Sequence, residues 1–337
     1  MIKEINYNSN DKKLLFIVWS PYSGRSEELA RKLNAKIFFI HYFKFKRPIY
    51  SIPKYIFQLF ATLKILIREK PKLIFVESPP IVAVLSVYLY SKVFAAKYFI
   101  DAHSGLFVSW KWKWLIPLQK QLSRKALVTI VTNTYMADIV NSWGAKYYVL
   151  PVTLPKFTKL NSVLSHEKQK TIIVINTFSD DEPLGVILEA AQQIQEIKFF
   201  ITGDITKCPK WAVHNKSNNV IFTNFLPKDK YIEAILNSDA VMVLTTRQNT
   251  MQMGAYEAVA LERPILISNS ELLVSTFNKG CVYVENNYSS IRTGIKEMFN
   301  NYDTYFQQIT QLKLELNQDF DKRIDFINDM LGREVQF

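Results

Sequence analysis

The residues of this chain best suited to chemistry fall in one stretch, 245–264, which reads TTRQNTMQMGAYEAVALERP. The apolar run at 240–244 predicts a strand, and a helix is predicted over 253–260, with a small polar loop between them. The first N–H groups of such a helix lack partners inside it. With the positive end of the helix dipole they attract an anion such as a diphosphate. Arg247, Met251, Gln252 and Met253 lead into the turn, and Gly254 and Ala255 keep side chains away from a ligand there. Glu257, about one turn into the helix, is placed to accept hydrogen bonds from ribose hydroxyls, as carboxylates do in nucleotide-binding proteins. Taken alone it is equally an ordinary first-turn charge.

Other predicted strand ends carry further candidates. Thr177 follows the strand at 171–176, and Gly203 and Asp204 close the strand at 198–202. Asp101 and His103 sit at the end of the strand at 97–101, followed by Gly105. A histidine there can take a proton from a sugar hydroxyl, because its ordinary pKa lies near neutrality, and Asp101 can orient it. These two form the candidate catalytic pair; the bland alternative is a structural histidine. Ser23, Gly24 and Arg25 follow the first strand and suit either a substrate contact or a plain strand-to-helix turn. His41, His166 and His214 have no such context, and Cys208 and Cys281 form no CxxC, so neither a metal site nor a disulfide framework is expected.

Alternating strands and helices position these residues. Strands are predicted over 12–20, 36–42, 72–77, 97–101, 127–132 and 147–150, with helices over 26–33, 54–70 and 81–95. The second half repeats the pattern, with strands over 171–176, 198–202, 219–222, 240–244 and 264–268 and helices over 183–193, 228–237 and 253–260. The expected fold is α/β, with two Rossmann-like domains facing across a cleft, and ligands at the carboxyl ends of the parallel strands. The domains are expected at 1–160 and 161–337, joined near 151–170. A helical tail over 302–331 is expected to cross back onto the first domain.

On these residues the chain resembles GT-B glycosyltransferases of the E-x7-E group and their relatives. The matching pieces are Gly203-Asp204, Asn219-Val220, Phe225-Leu226, Ser238-Asp239-Ala240 and Gly254-Ala255-Tyr256-Glu257-Ala258 running to Arg263-Pro264-Ile265. The first half matches more loosely, through Asp101 to Gly105 and Val131-Thr132-Asn133. The resemblance implies transfer of a sugar from a nucleoside-diphosphate sugar, which is a substrate; no cofactor is implied. Glu257 would hold the nucleotide ribose, residues 251–254 the phosphates, and His103 would lie near the transferred sugar. Ser23, Gly24 and Arg25 would then belong to the acceptor side. Two features depart from the pattern. The first motif glutamate would fall at position 249, which is Asn249, and Asp180, Asp181 and Glu182 stand where a basic pair is often found. Retention or inversion therefore stays open. A nucleotide-sugar epimerase of the same fold and a catalytically inactive partner subunit remain alternatives.

Charge points to a further partner. Residues 1–160 carry 25 Lys and Arg against 8 Asp and Glu, whereas 161–337 have a net charge of −5. The basic half holds Trp110, Lys111, Trp112, Lys113 and Trp114, and a mixed basic and aromatic stretch over 44–70. Trp and Lys both suit the headgroup zone of a bilayer, and cytoplasmic leaflets are anionic. Peripheral attachment at the inner face of the cytoplasmic membrane and a lipid-linked or glycan acceptor, as in surface polysaccharide synthesis, are expected. Nucleic acid is not, because no module for it is recognisable. The polar start of the chain predicts no signal peptide. The apolar run at 81–100 contains Lys92 and Lys97 and reads as a crossover helix feeding a strand, not a membrane span.

Overall fold

The computed structural model describes residues 1–7, 14–42, 51–157 and 169–335. They form two compact units, Met1–Val152 with Asp319–Phe337, and Thr153–Gln318. The first unit runs β1 (Ile2–Asn6), β2 (Leu14–Val18), α1 (Gly24–Lys32), β3 (Lys36–Ile40), α2 (Ser51–Glu69), β4 (Leu73–Ser78), α3 (Ile81–Phe94), β5 (Lys97–Ala102), α4 (Ser104–Val108), a 3-10 turn (Trp110–Leu115), α5 (Ile116–Lys125), β6 (Val128–Val131), α6 (Thr134–Ser142) and β7 (Tyr147–Val149). Its sheet has the order β1-β3-β2-β4-β5-β6-β7, parallel except for β1.

The central strands read LLFIV and LIFVES and are buried along their whole length, as parallel strands covered on both faces must be. Phe16, Phe75 and Phe99 stack in register across β2, β4 and β5, with ring centroids 4.5 and 4.6 Å apart. On one face of the sheet α2, α3, α5 and α6 cover Ile17, Ile74 and Ile100; on the other, α1 covers Phe16, Phe39 and Phe75. β1 lies in a stretch whose sequence predicts no element. It is an antiparallel edge strand, mostly exposed, and its polar residues suit an edge that must not pair further.

The second unit runs β8 (Thr171–Val174), α7 (Leu184–Gln192), β9 (Lys198–Thr202), α8 (Lys210–His214), β10 (Val220–Asn224), α9 (Lys228–Leu236), β11 (Ala240–Val243), α10 (Met253–Ala260), β12 (Ile265–Ser268), α11 (Glu271–Thr276), β13 (Cys281–Val284), α12 (Tyr288–Asn300) and the first part of α13 (Tyr302–Val335). All six strands are parallel in the order β10-β9-β8-β11-β12-β13, the doubly wound dinucleotide-binding arrangement. The order reverses between β8 and β11, so the ligand crevice of such a sheet opens at their carboxyl ends. In the first unit the corresponding reversal lies between β2 and β4.

Helix α13 begins in the second unit and ends in the first. Its last turns bury Phe320, Ile324, Ile327 and Leu331 against the first sheet's α1 face. There Arg323 donates from Nη1 to the Val149 carbonyl at 2.9 Å, and Phe326 stacks on Tyr148 with centroids 5.1 Å apart. Among the described residues no helix is long and apolar enough to cross a membrane. The expected crossover helix is α3, which buries Ile81, Val84, Val87 and Tyr90. The expected basic residues Lys44, Lys46 and Arg47 lie outside the described residues.

Candidate functional site

In the first unit the turn after β2, the start of α1 and the chain at the ends of β4 and β5 bring six side chains together. Asp101, at the end of β5, is 1% exposed. Its carboxylate accepts from Arg25 Nε at 3.1 and 3.3 Å, and lies 3.0 Å from His103 Nε2. Glu77, at the end of β4, accepts from Ser26 Oγ at 2.6 Å and stands 3.9 Å from the same His103 nitrogen. Ser23 Oγ meets Ser26 Oγ at 3.1 Å.

The charges set the protonation states. Burial by itself would raise the pKa of Asp101, but the Arg25 guanidinium and His103 outweigh it and hold the carboxyl at about 2. For His103 burial opposes the charged ring, yet the Asp101 and Glu77 carboxylates win and move its pKa upward. An ionised Asp101 at Nε2 assigns the imidazole hydrogen to that nitrogen and leaves Nδ1 to act as base or donor according to pH.

Arg25 has a structural role as well. Expected on the acceptor side from sequence, it is also tied into the fold: besides Asp101 it donates to the carbonyls of Leu150 and Pro151 at 3.0 and 3.1 Å. Glu77 escaped the sequence reading, although its position as the carboxylate ending a buried strand is the same signal that singles out Asp101.

In the second unit the crevice between β8 and β11 collects the other candidates. Helix α10 starts at Met253, and Gln252 in the capping position supplies no side-chain cap. A Cβ on Gly254 would lie 2.9 Å from Ile175 Cγ2, so glycine lets the first turn of α10 press against the chain leaving β8. Glu257, one turn on, accepts from the Tyr231 hydroxyl of α9 at 2.5 Å. Partial burial raises the Glu257 pKa, against the lowering effect of that bond. Tyr231 has no signature in the sequence, since only packing of α9 beside α10 brings the two together.

The loops around the crevice are tied by the acids that stand in place of a basic pair. Glu182 accepts from the Thr177 N–H at 2.8 Å, the Thr177 hydroxyl at 3.0 Å and the Ser179 N–H at 2.9 Å. Asp181 accepts from the Thr245 hydroxyl at 2.7 Å and pairs with Arg247 at 3.2 Å, joining the ends of β8 and β11. Arg247 is exposed beyond that pair, as is Asn249. Asp204 caps the short turn Ile205–Lys207, accepting from the Thr206 N–H and hydroxyl at 3.1 and 2.6 Å.

Gly203 has φ of +118°, and a Cβ there would meet the Asn176 carbonyl oxygen at 2.7 Å. Gly203→Ala is therefore expected to cost about 1–3 kcal/mol through backbone strain and displacement of the β8 loop. Urea unfolding monitored on this variant checks it; an unchanged midpoint would contradict the geometry.

Trp112 also departs from expectation. It is 7% exposed and its ring lies 6.4 Å from that of Tyr55, so it belongs to the core and not to a surface patch; only Trp110 and Trp114 face outward. The alternation of Trp and Lys suggests one face, but the 3-10 turn they form distributes them around an axis. Among the described residues no group of three His, Cys, Asp or Glu is placed to hold a metal ion.

Residues 169–301 match the family model for Glycosyl transferases group 1. Among solved structures the chain is similar to sucrose-phosphate synthase from Thermosynechococcus elongatus (TM-score 0.69, 11% identity, covering 96% of this chain and 98% of that one). A glycosyltransferase from Rickettsia africae gives a TM-score of 0.69 at 13% identity, covering 97% and 99%. HepE from Anabaena, solved in complex with UDP and glucose, gives 0.69 at 12% identity, covering 96% and 99%. No curated protein matches the chain. At such identities the structural likeness establishes the fold, while the family match covers the 169–301 segment that holds β8 and β11. The chain thus has the GT-B fold, two Rossmann-like units, and its residues 169–301 match the model for group 1 glycosyl transferases.

Proposed function

We propose that this chain transfers a sugar from a nucleoside-diphosphate sugar to a glycan acceptor, lipid-linked and presented at an anionic membrane surface, as in surface polysaccharide or glycoconjugate synthesis. The observation that carries the donor half is the uncapped start of α10 at the sheet's switch point, with Glu257 held one turn behind it by Tyr231. Residues 251–254 then meet the diphosphate, whose leaving charge the helix end stabilises. Glu257 receives the ribose hydroxyls on its remaining oxygen. Gly203, Thr177 and Arg247 line the same crevice, Arg247 turning from Asp181 to the phosphate; Asp204 serves by capping the turn behind Gly203.

His103 takes the proton of the acceptor hydroxyl at Nδ1, while Asp101 holds Nε2 and stabilises the imidazolium that forms. Ser23 and Gly24 border this cluster and belong to the acceptor side. The reading places the protein at the cytoplasmic face of the membrane, attached peripherally.

Thermal-shift screening against UDP-, GDP-, dTDP- and CMP-sugars identifies the donor, because a ligand that binds only the folded state raises the melting temperature. Glu257→Ala is expected to weaken that donor by roughly 10–100-fold, the value of hydrogen bonds to a charged group. Calorimetric affinity equal to that of the unaltered protein would remove Glu257 from the donor site.

A further inference from the structure

Helix α2 is apolar on the face it turns to water as well as on the face it turns to the core. Ile52, Ile56, Phe60, Lys64 and Ile67 recur at spacings of four and three and so share one face. All five are exposed, Ile52 to 76% and Phe60 to 66%. The opposite face buries Ile65 and Leu66 together with Lys54, Gln58 and Thr62. Gln58 Nε2 donates to the Ile40 carbonyl at 2.6 Å, and the Thr62 hydroxyl accepts from Trp19 Nε1 at 2.9 Å. A surface helix of a water-soluble domain ordinarily keeps polar residues on its outward face. A continuous exposed apolar stripe marks a surface that something else covers.

The stripe extends onto its neighbours. α2 packs beside α3, whose last residues Val93 and Phe94 are exposed, and both helices cover the same face of the sheet as the 3-10 turn. That turn meets the start of α2 where the Tyr55 and Trp112 rings come together, and on its outer side Trp110 and Trp114 are 76% and 88% exposed.

Charge selects the partner. Residues 51–125 carry twelve Lys and Arg against three acids. Glu69 is paired with Lys36 and Arg68, and Glu77 and Asp101 are buried in the site already described. The surface therefore offers exposed isoleucine, phenylalanine and tryptophan with cations only: Lys64 within the stripe, and Lys111 and Lys113 between the tryptophans. A lipid bilayer with anionic headgroups accepts this combination, taking apolar side chains into the acyl boundary, Trp at the interface and Lys among the phosphates.

We infer that the outward face of α2, together with Trp110 and Trp114, docks on an anionic lipid bilayer, with α2 lying in the headgroup plane. The inference deepens the membrane part of the proposed function and is independent of the donor site.

Co-sedimentation of the full chain with vesicles of equimolar phosphatidylglycerol and phosphatidylcholine tests it. Binding is expected to these vesicles, to be weak with pure phosphatidylcholine, and to fall with added salt. The Ile56→Glu/Phe60→Glu and Trp110→Ser/Trp114→Ser variants change exposed positions. Each is expected to lower partitioning at least about tenfold with the melting temperature and donor affinity retained. Undiminished vesicle binding by both variants, or equal binding to neutral vesicles, overturns the inference. So does a dimer in sedimentation that Ile56→Glu/Phe60→Glu dissociates while the unaltered protein ignores vesicles. Absence of vesicle binding by the unaltered protein, with donor binding intact, counts against this surface alone; vesicle binding without donor binding counts against the donor reading alone.

Discussion

Asp101→Ala is expected to destabilise the first unit by about 3–5 kcal/mol, the usual cost of removing one member of a buried charge pair. The Arg25 guanidinium, 12% exposed, would keep its contacts to the Leu150 and Pro151 carbonyls but lose the carboxylate that neutralises it, and His103 would lose the partner fixing its ring. The effect depends on pH with a definite sign. The folded-state pKa of Asp101 is depressed to about 2, below the unfolded value of about 3.9. Its stabilisation is therefore complete above the unfolded value and is lost as pH falls toward about 2. Urea unfolding of the unaltered protein and of Asp101→Asn is expected to differ widely at neutral pH and to converge in strong acid. A gap independent of pH would mean that Asp101 acts by shape and hydrogen bonding, not by charge.

His103→Asn is expected to lower kcat by about 10²–10⁴, the range for loss of a positioned general base, with donor affinity little changed. Two carboxylates raise the His103 pKa, so the basic form, and with it kcat, is expected to rise as pH passes above the ordinary imidazole range. The stability contribution runs the other way: it is present below the unfolded-state pKa and is lost as pH rises through the folded-state value. Glu77→Gln removes one of the two carboxylates and is expected to move the rising limb to lower pH. A kcat profile that stays in place in Glu77→Gln, or a His103→Asn variant with near-normal kcat, would leave His103 no role as the base.

Legibility of this fold from sequence follows burial. Strands such as LLFIV and LIFVES lie between two helical layers, so unbroken apolar runs reveal them; the same holds for β8 and β11. Helix α10 is legible from Met253 to Ala260 because its glycine and carboxylate follow a strand and a polar loop. β1 is not, since an antiparallel edge strand exposed to solvent needs no apolar run. β13 and α12, at Cys281–Val284 and Tyr288–Asn300, also escape the reading; β13 is only four residues long.

The site divides in the same way. Strand-end positions point to His103, Asp101 and Gly203, and the strand-loop-helix order to Glu257, because they follow from chain order alone. Partners reached through tertiary packing do not: Arg25 against Asp101, Ser26 against Glu77, Tyr231 against Glu257 and Asp181 against Thr245 are 76, 51, 26 and 64 residues apart. The acids after β8 show the limit most clearly. From sequence they stand as a departure from a basic pair, whereas in three dimensions they are hydrogen-bond acceptors that hold the crevice loops together.

The central claim is that this chain moves a sugar from a nucleotide to an acceptor. The most direct test incubates it with the donor found by screening, with and without lipid-linked acceptors in vesicles, and follows nucleoside diphosphate release together with the fate of the sugar. The account predicts release that depends on acceptor and sugar that appears covalently on it, both lost in His103→Asn. Conversion of the donor sugar to an epimer without acceptor, or a folded protein that binds donor yet releases no diphosphate with any acceptor, would contradict it.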